Sequence, residues 1–316
     1  MDTGLITPNT LVNDQAGMHL SGTNWFPAND SNIYYGTVTI YQALQYSLNT
    51  VAAQIVDKLG PQTSYNYLTT KLGFTSLVPA DADYAPMALG QLTNGVTVRE
   101  MAQAYCAFVN DGIFTYGRTY SLVTDFDGNT VIDNSPTTIS AFKPNTAYTM
   151  TYMMQNAVEN GTGREARLYN MSVAGKTGTS GDYKDRWFCG VTPYYVAAVW
   201  TGFDTPATIN VSGNPAAQLW KKVMQPLHDG LEYKAFTYPY IGGNTGIFGI
   251  QDSVYPSNDF DSSDYTGWGD SSGSDSSDWD NSGSTDWGNS DSSDWGSNWG
   301  WGGIDWGNSG GTSFLG

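Results

Sequence analysis

The chain has 316 residues, with 13 lysines and arginines against 30 aspartates and glutamates, for a net charge of −17. No basic patch offers contacts to phosphates, so no nucleic acid is expected as a partner. Cys106 and Cys189 stand apart from each other and from the lone His19 and His228, so no metal and no cofactor is expected, and both cysteines read as small buried side chains.

Residues 1 to about 35 are crowded with turn formers, as in "TPNTLVNDQ" and "FPANDSN", and read as loop. They show neither the basic start nor the apolar run of a secretory signal. No stretch approaches the ~18 uninterrupted apolar residues that span a bilayer. From 38 to 60 the pattern turns helical, with Leu44, Leu48, Val51 and Ile55 at spacings of three and four. Asn49 or Thr50 is placed to cap a helix that Gly60-Pro61 ends. "SYNYLTTKLG" (64–73) reads as a second helix stopped by Gly73. "VTVREMAQAYCAFVNDG" (96–112) reads as a third, stopped by Gly112.

Two β-branched runs around Asp-Gly-Asn predict a hairpin over 119–133. A helix follows over 145–161, with Met150, Met153, Met154 and Val158 as a core stripe. Strands are expected over 171–180, 186–193 and 194–204, an antiparallel meander, and a last helix over 214–231 with Pro226 near its end. This order predicts an α+β fold, an antiparallel sheet flanked by helices. Residues 1–240 form its domain and 241–316 an acidic low-complexity tail of Asp, Ser, Gly and Trp. From residue 251 onward there are twelve aspartates and no Glu, Lys or Arg, so the tail carries −12 of the −17. Almost nothing aliphatic is present there to close a core, and disorder is expected.

Two short motifs carry chemistry. In "AGKTGTS" (174–180), alternation along a strand puts Lys176 and Gly178 on one face and Thr177 and Thr179 on the other. At a twisted sheet edge, an ammonium and two hydroxyls can still reach one rim and hold a carboxylate. Gly178, without a Cβ, lets a substrate backbone lie close, and an unpaired edge offers N–H groups to a peptide and to a developing oxyanion. A lone Lys-Thr-Gly also arises by chance, about once in several thousand positions. A phosphate-binding loop needs glycine five residues before Gly175, and Asn170 stands there. The second motif is Ser47-Leu48-Asn49, at a junction of helical segments. There a serine can relay a proton and an asparagine can orient an amide; an ordinary helix cap is the bland alternative.

Together and in this order the motifs resemble the active-site set of penicillin-binding proteins and serine β-lactamases, which is Ser-x-x-Lys, Ser-x-Asn and Lys-Thr-Gly. "GTVTIYQALQYSLNTVAAQ", "ALGQLTNGVTVREMAQAYCAFVNDG", "NGTGREA" and "DRWFCGVTPYYVAAVWTGFD" extend the likeness in order over about residues 3 to 230. The chain is similar to the transpeptidase domain of class A penicillin-binding proteins. That resemblance implies a D,D-transpeptidase module whose partners are peptidoglycan stem peptides ending in D-Ala-D-Ala, and β-lactams that mimic them. It assigns proton relay to Ser47, positive charge to Lys176, amide binding to Asn49 and carboxylate binding to Thr177 and Thr179, with Thr179 N–H in the oxyanion hole. It also implies work at the extracytoplasmic face of a bacterial membrane, through an amino-terminal anchor that is not in this sequence.

The sequence departs from the family pattern at the first motif. No Ser-x-x-Lys precedes Ser47, and the nucleophile is expected to be missing from this chain, which looks truncated at its amino terminus and would then be inactive alone. The single Ser-x-x-Lys, Ser140 to Lys143, falls between the other motifs and is followed by Pro144, which biases Lys143 away from the helical turn the pair needs. The missing elements would also leave apolar faces uncovered and the chain poorly folded by itself. A non-catalytic module that binds cell-wall peptides is the alternative reading.

Overall fold

The computed structural model describes residues 1–20 and 22–238; the acidic tail expected over 241–316 lies outside them. Three strands, β7 (Ala174–Thr179), β8 (Arg186–Val191) and β9 (Val196–Thr201), form the antiparallel meander read from the sequence, in the order β7-β8-β9. β7 is therefore an edge of this sheet. Its register sets Lys176 opposite Cys189, Thr177 opposite Phe188 and Thr179 opposite Arg186.

Helices cover both faces, as expected for an α+β fold. On one face lie Phe188 and the helix α7 (Pro215–Leu227), whose Trp220 is fully buried and meets the Phe188 ring edge-on at 5.2 Å. The Trp220 indole N–H also donates to Ala197 O at 3.1 Å, so this large apolar side chain keeps its one polar atom paired. Gly175 and Gly190 face each other across β7 and β8, and the Phe188 ring fills the space a Cβ would take at either. On the other face Ala174 and Val191 pack with Met154 of the helix α6 (Pro144–Glu159) and with Tyr105 of α5 (Val98–Cys106). The predicted methionine stripe holds: Met153, Met154 and Val158 are core, and Met150 packs against it.

The region before residue 61 keeps the junction of two helical segments at 47–49 but differs from the reading of residues 1 to about 35 as loop. β1 (Leu11–Asp14) pairs antiparallel with β2 (Gly36–Thr39), which leads directly into α1 (Ile40–Tyr46). Thr39 and Gln42 close a capping box at its start. α1 ends where Ser47 takes a left-handed conformation (φ 59°, ψ 48°), and α2 (Asn49–Leu59) begins two residues later. Leu48 is the N-cap of α2 and makes no side-chain cap bond. Asn49 and Thr50 are thus inside the helix rather than capping it, and their side chains are used elsewhere.

α3 (Pro61–Asn66) continues through a π-helical turn to Lys71 and stops at Gly73, close to its predicted end. A short helix, α4 (Tyr84–Leu89), has no counterpart in the sequence reading; six residues around Pro86 are too few to show a period. The hairpin over 119–133 forms as β4 (Leu122–Thr124) with β5 (Thr130–Asp133), while β3 (Ile113–Thr115) pairs with β6 (Thr138–Ser140). Cys189 is buried as expected, but Cys106 is only partly so.

Glu100, in the first turn of α5, is a buried carboxylate that ties α5 to the loop after α3. It accepts from Thr75 N at 2.7 Å, Ser76 N at 3.1 Å, Ser76 Oγ at 2.8 Å and Thr97 N at 2.9 Å. Burial alone would raise its pKa. The hydrogen bonds from Thr97, Thr75 and Ser76 outweigh that and hold it down at about 2. A carboxyl with a depressed folded pKa stabilises above its unfolded value of about 4.5, and the contribution fades as pH falls toward 2. Urea unfolding from pH 7 to pH 2 should therefore show Glu100→Gln less stable at pH 7, by roughly 1–3 kcal/mol, with the gap narrowing below about pH 4. A gap that stays constant with pH contradicts this role.

Candidate active site

The helix junction and the sheet edge come together. Lys176, on β7, donates from Nζ to Ser47 Oγ at 2.7 Å and to Thr177 O at 3.1 Å. The two residues are 129 positions apart in sequence. Burial pulls the Lys176 pKa down to about 8, although the residue keeps some contact with solvent. The desolvated ammonium is thus within reach of losing its proton near neutral pH, and the oxygens it bonds supply no negative charge to hold it.

Ser47 is exposed at the mouth of this arrangement. Its φ of 59° is unusual for a residue with a Cβ and costs on the order of 1 kcal/mol. The conformation persists because both neighbours are fixed. Ser47 N and Leu48 N satisfy Leu44 O and Ala43 O at the end of α1, and the Leu48 side chain is buried. On the far side, Thr50 Oγ1 donates to the buried Asp14 carboxylate, which also accepts from Asn29 Nδ2 at 2.7 Å and Tyr35 N at 2.9 Å. This network pins α2, β1 and the 29–35 loop to one another.

Asn49 donates from Nδ2 to Ala28 O at 2.8 Å, which turns the amide toward the 24–35 loop. Its Oδ1 has no protein partner among the described residues. Thr177 donates to Thr162 Oγ1 at 2.8 Å, while Thr179, at the end of β7, is exposed. Gly178 lies across from Trp187, on the Lys176 face. The alternation read from the sequence is therefore present, with Lys176 and Gly178 on one face of β7 and Thr177 and Thr179 on the other.

Two residues of this arrangement were not singled out from the sequence. Thr162 holds the Thr177 hydroxyl, and Gln45 holds the turn that carries Thr162. Thr162 N donates to Gln45 O at 3.3 Å, Gln45 Nε2 donates to Asn160 O at 3.1 Å, and Asn156 Nδ2 donates to Gln45 Oε1 at 3.0 Å. A Cβ on Gly161 would overlap the Gln45 carbonyl. The one available signal was the Gly-Thr-Gly at 161–163, a spacing that asks for close backbone approach on both sides of a hydroxyl.

Ser140 and Lys143 are placed elsewhere. Ser140 ends β6, and Lys143 precedes α6 with extended backbone (φ −64°, ψ 143°). Lys143 Nζ donates to Asp2 O at 3.0 Å, and Ser140 O accepts from Lys71 Nζ at 3.3 Å. No helical turn joins the pair.

A helix-flanked antiparallel sheet with Lys-Thr-Gly on its edge strand, facing a Ser-x-Asn helix junction, defines a class of fold and site. The model of the "penicillin binding protein transpeptidase domain" matches residues 1–225, and the chain belongs to that family. Its sequence relatives place it in the transpeptidase domain of class A penicillin-binding proteins. It is 40% identical over 235 residues to penicillin-binding protein 1A of Clostridium botulinum, covering 72% of this chain and 28% of that protein. It is 38% identical over 226 residues to penicillin-binding protein 4 of Bacillus subtilis, covering 71% of this chain and 35% of the relative. The chain thus spans about a third or less of the relatives it matches. The fold is that of PonA1 from Mycobacterium tuberculosis solved with penicillin V, at a TM-score of 0.63 and 24% identity over 77% of this chain and 69% of that one. Penicillin-binding protein 1A from Haemophilus influenzae gives 0.62 at 18% identity, over 80% and 44%.

Gly161→Ala should destabilise the chain by roughly 1–3 kcal/mol, the usual effect of overfilling a packed position. Backbone amide shifts should move at both Ser47 and Thr177 in that variant, since one turn supports both. Shifts confined to residues 157–165 would show that the turn is not the shared support.

Proposed function

We propose that this chain is the peptide-binding part of a D,D-transpeptidase, acting on peptidoglycan stem peptides that end in D-Ala-D-Ala and on β-lactams. The observation that carries the reading is the 2.7 Å hydrogen bond from Lys176 Nζ to Ser47 Oγ beside an open sheet edge. The stem peptide lies along β7, where Gly178 leaves room for its backbone and the edge N–H groups pair with it. The Thr179 hydroxyl, the Thr177 hydroxyl once its proton turns from Thr162 Oγ1 to the peptide, and the Lys176 charge hold the terminal carboxylate. Asn49 Oδ1 accepts from a substrate amide. The Thr179 N–H stabilises the oxyanion as the scissile carbonyl is attacked. Ser47, bonded to Lys176, passes the proton to the departing D-alanine.

The nucleophile is not assigned to any residue of this chain. The single Ser-x-x-Lys lacks the helical turn, and its lysine is engaged with Asp2. These residues are accordingly read as binding the peptide, with no acylation assigned to any of them. Among the described residues no helix is long and apolar enough to cross a membrane.

Incubation with benzylpenicillin followed by intact-mass measurement should show no adduct on this chain. Binding of an N-acylated D-Ala-D-Ala peptide should weaken at least about tenfold in Lys176→Ala, the value of one charged hydrogen bond. It should also weaken as pH rises through about 8, where Lys176 loses its charge. A stable adduct of one penicillin mass would place a nucleophile within these residues and overturn the assignment.

A further inference from the structure

The β4–β5 hairpin is nested inside the β3–β6 pair, and the pairing opens between the two. Thr115 stands opposite Thr138, and the next pair is Leu122 with Asp133. Residues 116–121 bridge this gap on one side and the shorter segment 134–137 on the other. The unequal arms splay around a cavity of about 740 Å³, a size that holds a small ligand. Asn134 pins its far end, with N donating to Ser121 O and Nδ2 to Tyr120 O, each at 2.9 Å. Arg99, in the first turn of α5, closes the near side: its Nη2 donates to Gly117 O at 2.6 Å.

Two of the chain's five arginines, Arg99 and Arg118, line this cavity, and no aspartate or glutamate does. Neither arginine has an ion-pair partner among the described residues, where Lys184 with Asp182 forms the one ion pair. The nearby acids are engaged elsewhere. Glu100 is held by Thr75, Ser76 and Thr97, and Asp133 accepts from Ser135 N at 2.9 Å and Oγ at 2.6 Å. The remaining wall is neutral and rich in hydroxyls. Tyr116 and Tyr120 are half-exposed in it, and the Tyr116 ring is set edge-on against the buried Phe114 at 4.9 Å. Two guanidiniums with free donors suit a carboxylate or a phosphate, which each can hold through paired bonds. They are too few to follow a nucleic acid backbone. Phenol rings beside hydroxyls suit a ligand with both apolar and polar faces, as a sugar ring has.

We propose that this cavity binds an anionic saccharide, a sugar that carries a carboxylate or a phosphate. Arg118 and the donors of Arg99 not spent on Gly117 take the anion, and Tyr116 and Tyr120 take the ring. Arginine does not titrate in the accessible pH range, so the charge of the site is constant. None of the lining residues belongs to the Lys176–Ser47 arrangement, and the inference stands apart from the proposed function.

The test uses the full 316-residue chain and four probes, glucuronic acid, glucose 6-phosphate, glucose and inorganic phosphate, with affinities from calorimetry. One or both charged sugars should bind about tenfold or more tightly than glucose and than inorganic phosphate, the worth of a charged hydrogen bond. Binding of the acid, of the phosphate or of both supports the proposal and identifies the anion. Arg118→Gln should weaken the charged sugar about tenfold or more. In the wild type, independent of any variant's folding, the Arg118 Nε–H NMR resonance should shift with the charged sugar and not with glucose. Failure of both charged sugars to bind overturns the proposal. So does inorganic phosphate that binds as tightly as they do, which would make the cavity a simple anion site. A charged sugar that binds without a response at Arg118 Nε–H, or equally well in Arg118→Gln, places it outside this cavity and overturns the proposal too.

Discussion

The turn at residues 160–163 is the constraint on which the site depends. It closes α6, takes the carbonyl of Gln45 near the end of α1 and places Thr162 against Thr177 on β7. Gln45 is two residues from Ser47, and Thr177 is one from Lys176. A single turn therefore sets the distance between the helix junction and the sheet edge. Glycine at 161 is what permits it, since any side chain would collide with the Gln45 carbonyl. The Asp14 network answers from the opposite side, fixing the start of α2 through Thr50. Between these two supports, Ser47 is held in a conformation it would not choose alone.

The electrostatics follow from that geometry. Lys176 is brought into a partly desolvated place whose oxygen partners are neutral, a serine hydroxyl and a backbone carbonyl. Its charge is therefore weakly held and its proton is available.

Much of this was legible from local pattern. The meander, the methionine stripe and the alternation of Lys176 and Gly178 against Thr177 and Thr179 all follow from periods of two or of three to four. What escaped is non-local. β1 was hidden because it is four residues long and ends in Asp14, an acid that reads as solvent-facing and is in fact buried. The roles of Gln45 and Thr162 depend on contacts with residues 115 and 15 positions away, to which no local period points. Asn49 had the composition of a cap but the geometry of a first helical residue, because the left-handed turn at Ser47 shifts the start of α2.

Lys176 is a desolvated ammonium bonded to Ser47, and under the proposed function it faces an anionic peptide end. The most direct measurement is an NMR titration of the Lys176 ε-amino group in the intact chain, with and without an N-acylated D-Ala-D-Ala peptide. A midpoint near 8 is expected in the free protein and a higher one with the peptide bound, because the carboxylate favours the protonated form. A midpoint at the ordinary lysine value of about 10.4, unmoved by a peptide that binds, would contradict it.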